Sequence, residues 1–77
     1  MKIEVLGAGC AKCQKTVEKI KDIMSKNGYN AELVKIEDIN EIISRGVLST
    51  PSVFVDGKQM LAGHIPDEKM IISWFKN

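Results

Sequence analysis

Residues 5–20 read VLGAGCAKCQKTVEKI, and the hydrophobic period changes within this one segment. Its first residues continue an alternating, strand-like run, whereas Cys13, Val17 and Ile20 recur at the spacing of one helix face. Two glycines interrupt the chain between these patterns. The segment therefore predicts a strand, a short turn and a helix, with Cys10 and Cys13 where the helix starts.

The same rules, applied to the rest of the chain, predict the element order β-α-β-α-β-β-α. They predict strands over residues 2–6, 30–36, 52–55 and 58–61, and helices over residues 11–27, 38–45 and 67–75. Asp56-Gly57 is a two-residue hairpin signal between the last two strands. We therefore expect an α/β fold with helices on both faces of a mixed four-stranded sheet, and a right-handed first crossover.

The two later helices each have an expected apolar face. Asp38 and Glu41 have the spacing of a capping box at the start of the second helix. We expect Ile39, Ile42 and Ile43 to form the buried face of that helix. In the last helix the expected core contacts are Met70, Ile71, Trp74 and Phe75.

The length and composition predict one small domain over residues 1–77. A domain of this size buries only about 60% of the surface that its unfolded chain exposes. The 10 acidic and 11 basic residues are interspersed, so we expect neither nucleic acid nor membrane as a partner. No segment has the apolar stretch of a signal peptide or the roughly 20 apolar residues of a membrane span. We therefore expect a cytoplasmic monomer.

The chain has two cysteines, and their spacing favours chemistry over a structural disulfide. In the chain-entropy model, closing a four-residue loop gains about 2 kcal/mol, against about 3 kcal/mol for a fifteen-residue loop. A reducing compartment also disfavours a structural bond between Cys10 and Cys13. The spacing alone is compatible with both redox exchange and metal binding.

The position of Cys10 at the start of a helix favours its thiolate form. Its sulfur would lie near unpaired amide hydrogens and the positive end of the helix dipole, and Lys12 adds a positive charge nearby. Lowering a thiol pKa from about 8.5 to about 7 takes about 2 kcal/mol, which a helix N-terminus can supply. Cys13, one turn further in, would be shielded from water. Cys10 is then the expected nucleophile and Cys13 the resolving cysteine.

A second motif, STPSVFVDG over residues 49–57, places Thr50-Pro51 ahead of a strand. Together with the Cys-x-x-Cys at the start of the first helix, this motif resembles the thioredoxin superfamily over essentially the whole chain. The most similar group is the small thioredoxin-like one called redox-active disulfide protein 2. The resemblance implies that the Thr50-Pro51 bond is cis and lies against the cysteines, where its backbone holds an extended segment of the partner.

The resemblance also implies a function. We expect a thiol–disulfide oxidoreductase with a minimal thioredoxin-like fold, which acts as a protein disulfide reductase through Cys10 and Cys13 and needs no other cofactor. Its expected partners are disulfide-containing proteins and an upstream reductase. The chain departs from thioredoxins proper where Gly9 replaces a tryptophan and Ala11-Lys12 replaces Gly-Pro. The reduction potential and the partner set therefore do not carry over.

Glu4 has two interpretations. Thioredoxins proper have a buried aspartate six residues before the first cysteine that assists proton transfer, and Glu4 has this spacing from Cys10. The simpler interpretation is a glutamate on the thinly covered face of the sheet.

Glutaredoxins share the cysteine pair and the proline, but residues 63–67, GHIPD, match their glutathione-binding turn poorly. We expect no glutathione site and a surface position for His64.

The competing interpretation is a Cu(I) chaperone of the heavy-metal-associated type. Such domains place Met-x-Cys-x-x-Cys between a first strand and a helix, and two thiolates bind Cu(I) almost linearly. Against it, Ala8 occupies the methionine position, Pro51 has no counterpart, and the C-terminal segment predicts a helix where those domains end in a strand. A closed zinc site needs four ligands, and the chain offers two cysteines and His64, so we expect no metal site in the monomer.

Overall fold

The structure of the protein is a computed structural model that describes residues 1–76 of the chain. Within these residues the elements follow the predicted order. They are β1 (Lys2–Leu6), α1 (Ala11–Asn27), β2 (Glu32–Ile36), α2 (Ile39–Ser44), β3 (Ser52–Val55), β4 (Lys58–Ala62) and α3 (Glu68–Phe75). The main differences from the prediction are at element ends: β2 begins at Glu32 instead of residue 30, and β4 extends to Ala62.

The strands form one mixed sheet in the order β2-β1-β3-β4. β1 is parallel to β2 and antiparallel to β3, and β3 is antiparallel to β4. Asp56 and Gly57 join β3 to β4 with φ values of 50° and 85°, the positive angles that a tight hairpin of this kind needs. The predicted mixed four-stranded sheet and its hairpin are confirmed.

Each face of the sheet carries its own apolar cluster. On one face, Ile3 and Val5 of β1 share a cluster with Val17 and Ile20 of α1 and with Trp74 of α3. The smaller cluster, on the face of α2, consists of Leu6, Ile36, Ile42, Val47 and Phe54. Helices therefore cover both faces, as predicted. The face under α2 has the thinner cover, because a six-residue helix spans much less of the sheet than α1 and α3 do.

α1 begins and ends at the positions that the sequence predicts. Its N-cap is Cys10, and its C-cap is Gly28, which has a φ of 66° and donates its N–H to the carbonyl oxygen of Met24. Glycine adopts this left-handed conformation at no steric cost, so the helix ends here. The Cys10 cap places the N-terminus of α1 directly after the turn that follows β1.

The buried face of α2 differs from the prediction. Ile42 is buried, but Ile39 and Ile43 are 61% and 65% exposed. Ile39 and Ile43 are i,i+4 neighbours that share one side of the helix, whereas Ile42 lies about 100° around the axis from Ile43 and meets the sheet. The expected burial of Ile39 and Ile43 is therefore wrong, because a helix of fewer than two turns presents a single contact line to the sheet.

The start of α2 forms only half of the predicted capping box. The Asp38 carboxylate accepts the backbone N–H groups of Asn40 at 2.8 Å and of Glu41 at 3.3 Å. The Glu41 carboxylate does not return this bond, and instead accepts from Nε of Arg45 at 2.9 Å. Asp38 is therefore the effective N-cap, while Glu41 contributes to an ion-pair network at the other end of the helix.

Candidate active site

Cys10 and Cys13 lie at the start of α1 and are joined by a disulfide bond. As the N-cap, Cys10 accepts at its Sγ the backbone N–H of Cys13 at 3.1 Å. The two Cα atoms are 5.1 Å apart, which is within the usual range for a disulfide. The expected placement of one sulfur at the helix N-terminus, with a second within bonding reach, is confirmed.

The two cysteines differ in their access to solvent. Cys10 is partly exposed, whereas Cys13 is 5% exposed. A helix N-terminus offers amide hydrogens and a favourable potential to an anion, and Cys10 occupies that position. The sulfur of Cys10 is therefore the more accessible of the two from solvent, while that of Cys13 is shielded.

Gly7 provides the space that Cys13 occupies. It directly follows β1, is buried, and donates its N–H to the carbonyl oxygen of Ile36 at 2.9 Å. A Cβ atom built on Gly7 would overlap Sγ of Cys13 and would lie 3.0 Å from its Cβ. Any side chain at position 7 would therefore displace the sulfur, which the sequence analysis did not anticipate.

The Thr50-Pro51 peptide bond is cis, as the resemblance implies. Pro51 is fully buried, and Cβ of Thr50 lies 3.7 Å from the point that a Cβ on Gly7 would occupy, beside Sγ of Cys13. The carbonyl oxygen of Pro51 accepts the N–H of Gly63 at 2.9 Å, which fixes this turn to the end of β4. The turn before β3 and the start of α1 therefore meet, although 37 positions separate Thr50 from Cys13 in the sequence.

Glu4 is not brought to the cysteines. Side chains alternate along β1, and Ile3 and Val5 pack under α1, so Glu4 faces α2 on the opposite side of the sheet. Its buried carboxylate accepts hydrogen bonds from Arg45, from Nη1 at 3.1 Å and from Nη2 at 2.7 Å. These bonds hold the pKa of Glu4 below its usual value of 4.5, although burial alone would raise it. The structure thus favours the structural interpretation, and gives the proton-transfer role of Glu4 no geometric support.

Arg45 is a structural residue that the sequence analysis missed. It directly follows α2, bonds both Glu4 and Glu41, and its guanidinium lies 5.5 Å from the ring centroid of Phe54. Its two hydrogen bonds to Glu4, and then the one to Glu41, raise the pKa of Arg45 above its usual value. One indication of such a residue was present in the sequence, because a glutamate within a predicted strand needs a cationic partner if it is buried. Spacing alone does not identify which of the 11 basic residues is that partner.

The remaining residues singled out from the sequence lie at the surface. Lys12 is exposed in the first turn of α1, and its backbone carbonyl accepts the hydroxyl of Thr16 at 2.8 Å. Its ammonium group joins none of the ion pairs found within residues 1–76. His64 is exposed in the loop between β4 and α3, as expected.

A small, partly open cavity of about 10 Å³ adjoins Cys13 on the side of β2. Lys35 and Glu37 contribute ionisable side chains to its lining, and neither was singled out from the sequence. The Glu37 carboxylate points toward the turn before Cys10, with Oε2 3.9 Å from where a Cβ on Gly9 would lie. Strand pairing could have indicated Lys35 from the sequence, because Lys35 pairs with Val5, whose side chain packs under α1.

The described part of the chain has neither a cluster of metal-ligating side chains nor a membrane-spanning helix. Among residues 1–76, no three or more His, Cys, Asp or Glu side chains are grouped so that they could hold a metal ion. None of the helices in this range has the length and apolar character needed to cross a bilayer.

Comparison with known proteins agrees with this geometry. The family model for the thioredoxin domain matches residues 1–76. The chain is 31% identical over 71 residues to a thioredoxin of Methanothermobacter thermautotrophicus, which covers 92% of each protein. It is 39% identical over 69 residues to a thioredoxin of Methanocaldococcus jannaschii, which covers 90% of this chain and 79% of that protein. The narrower resemblance to redox-active disulfide protein 2 stays a prediction. The chain therefore belongs to the thioredoxin family.

Proposed function

We propose that this thiol–disulfide oxidoreductase works as a protein disulfide reductase, with Cys10 as the nucleophile and Cys13 as the resolving cysteine. The observation that carries the proposal is the placement of Cys10 as N-cap of α1, with its Sγ 3.1 Å from the N–H of Cys13 and bonded to Sγ of Cys13. This arrangement supports a thiolate at Cys10 and a rapid ring closure to Cys13.

The exchange proceeds in two steps. In the reduced protein, the Cys10 thiolate attacks one sulfur of a partner's disulfide, and the other partner sulfur leaves as a thiolate that takes up a proton. The thiol of Cys13 then loses its proton and attacks Sγ of Cys10, which forms the Cys10–Cys13 bond and releases the second partner thiolate. Two electrons pass to the partner, and an upstream reductase then supplies two electrons that restore the reduced form of Cys10 and Cys13.

Thr50 is suited to hold the partner. It is exposed and precedes the buried Pro51 at the edge of the site. Within residues 1–76, the backbone N–H and C=O of Thr50 make no hydrogen bond. These groups are therefore free to pair with an extended segment around the partner's cysteine, in the way that a strand adds to a sheet edge. We propose disulfide-containing proteins as the partners and a cytoplasmic monomer as the working form.

The Cys13→Ser variant tests the assignment. It should accumulate a mixed disulfide between Cys10 and a disulfide-containing protein such as insulin, because the second step is blocked. The matched Cys10→Ser variant should trap little, because Cys13 is buried. The adducts are measured by non-reducing gel electrophoresis and mass spectrometry, and equal trapping by both variants would show that the roles are wrongly assigned.

The Cu(I)-chaperone interpretation is not favoured. The last element of the described residues is the helix α3, a cis Thr50-Pro51 bond lies beside the cysteines, and the matching family is that of the thioredoxin domain. Insulin reduction measured beside a Cu(I) titration separates the two functions. Tight Cu(I) binding by a wild-type protein that neither reduces insulin nor forms the trapped adduct would contradict the reductase proposal.

A further inference from the structure

The second step of the proposed exchange requires a proton acceptor for Cys13. Cys13 is 5% exposed, so bulk water has little direct access to its thiol. Its own backbone N–H donates to Sγ of Cys10, so that group does not stabilise a thiolate at position 13. A buried thiol without such help stays protonated near neutral pH, since burial disfavours the charged form.

The structure narrows the choice of acceptor. Glu4 lies on the opposite face of the sheet, where its carboxylate is held by Arg45. The cavity beside Cys13 is lined by two other ionisable residues of the described chain, Lys35 and Glu37. Of these two, only Glu37 has a carboxylate that can accept a proton, because the lysine side chain has hydrogen-bond donors and no acceptor.

We propose that Glu37 accepts the Cys13 proton through a water molecule in this cavity. The inference rests on the proposed reductase function and deepens it. The water gives its proton to the Glu37 carboxylate as it takes the proton of the Cys13 thiol. Sγ of Cys13 then bonds to Sγ of Cys10, the bond from Cys10 to the partner breaks, and the departing partner thiolate takes a proton from solvent.

The surroundings of Glu37 suit this task. The residue follows β2 and is exposed, so the proton that it accepts can pass on to solvent. The cavity is partly open, is lined by both Cys13 and Glu37, and has about 10 Å³ of space, which is about what a single water molecule needs.

The test uses an aromatic disulfide reagent, dithiobis(nitrobenzoate), that releases one coloured thiolate at each step. In stopped-flow mixing with the reduced protein, the first release reports attack by Cys10 and the second reports resolution by Cys13. Glu37→Gln should slow the second release by about 10-fold at about pH 6.5, less than the ~10² typical of a base in direct contact. The effect should shrink as the pH is raised, because hydroxide then increasingly removes the thiol proton without help from the carboxylate.

Glu32→Gln is the matched control, because Glu32 is an exposed glutamate at the far end of β2 and its loss changes the net charge equally. Glu37→Asp should restore part of the rate. An unchanged second release in Glu37→Gln would overturn the inference, and so would a faster one, which would mean that the carboxylate only repels the Cys13 thiolate. Equal slowing of both releases would also overturn it. A wild-type protein without a second release would overturn the reductase proposal as well, which distinguishes the two failures.

Discussion

Cys10 combines a structural and a chemical role in one side chain. Helix N-caps are usually Ser, Thr, Asp or Asn, whose oxygen accepts an amide hydrogen of the first turn. Here the sulfur of Cys10 accepts the N–H of Cys13 instead. The cap bond therefore points a donor at the atom that we propose as the nucleophile. Because serine is itself a good N-cap, the Cys10→Ser control should keep α1 intact.

The close packing of Cys13 against Gly7 can be measured by a double-mutant cycle. Gly7→Ala should destabilise the reduced protein by about 1–3 kcal/mol, because the new Cβ overlaps Sγ of Cys13. In a Cys13→Ala background the same change should cost clearly less, since the overlapping atom is gone. Urea unfolding under reducing conditions gives both values, and an equal cost in the two backgrounds would show that Sγ is not the cause.

The elements differ in how much of their position is set locally. α1 has a cap at each end and a long apolar face, so its place after β1 follows from its own residues. α2 has six residues, one buried side chain and two exposed isoleucines, so its position depends on the contacts at its ends. Asp38 begins it, and Arg45 ties its last turn to β1 through Glu4.

Neighbouring isoleucines of α2 provide a matched test of its orientation. Ile42→Ala should lower the free energy of unfolding by about 2–4 kcal/mol, because it removes a buried side chain from the small cluster. Ile43→Ala, one residue further on, should change it by less than about 0.5 kcal/mol, because its side chain is 65% exposed. Urea denaturation of the two variants compares them directly, and similar losses would mean that α2 is rotated from the described orientation.

The molecule as a whole has one thick and one thin apolar layer, and the thin one contains the buried ion pair. The side chains of Glu4 and Arg45 are 7% and 28% exposed, and their bond links β1 to the end of α2. An isolated buried carboxylate would be strongly destabilising, so the pair stabilises the face that the short helix covers least.

This pair predicts a pH dependence of global stability. The pKa of Glu4 is lower in the folded chain than its usual value of 4.5, so its contribution is complete above that value. It is lost as the pH falls through the lower, folded-state pKa. Glu4→Gln should therefore cost about 2–3 kcal/mol near neutral pH, and the difference from wild type should shrink in acid. Urea unfolding from about pH 7 to about pH 3 checks this, and Glu32→Gln is the exposed control. A constant difference across the range would contradict it.

Much of this fold follows from short-range signals. The change of period after β1, the Asp56-Gly57 turn and the glycine after α1 each act through residues only a few positions apart. Such signals predicted the element order, the mixed sheet and the place of Cys10. α2 was predicted less well, because three apolar residues on a six-residue helix do not define one face.

Composition, period and spacing were therefore enough to determine the element order, the position of the cysteine pair and, by resemblance, the family. Tertiary structure alone determined that Arg45 partners Glu4, that Gly7 makes room for Cys13, and that Glu37 shares a cavity with Cys13. These contacts join residues on different elements, and 41 positions separate Glu4 from Arg45. No local conformational preference specifies such pairs, because they form only when the packed sheet brings distant segments together.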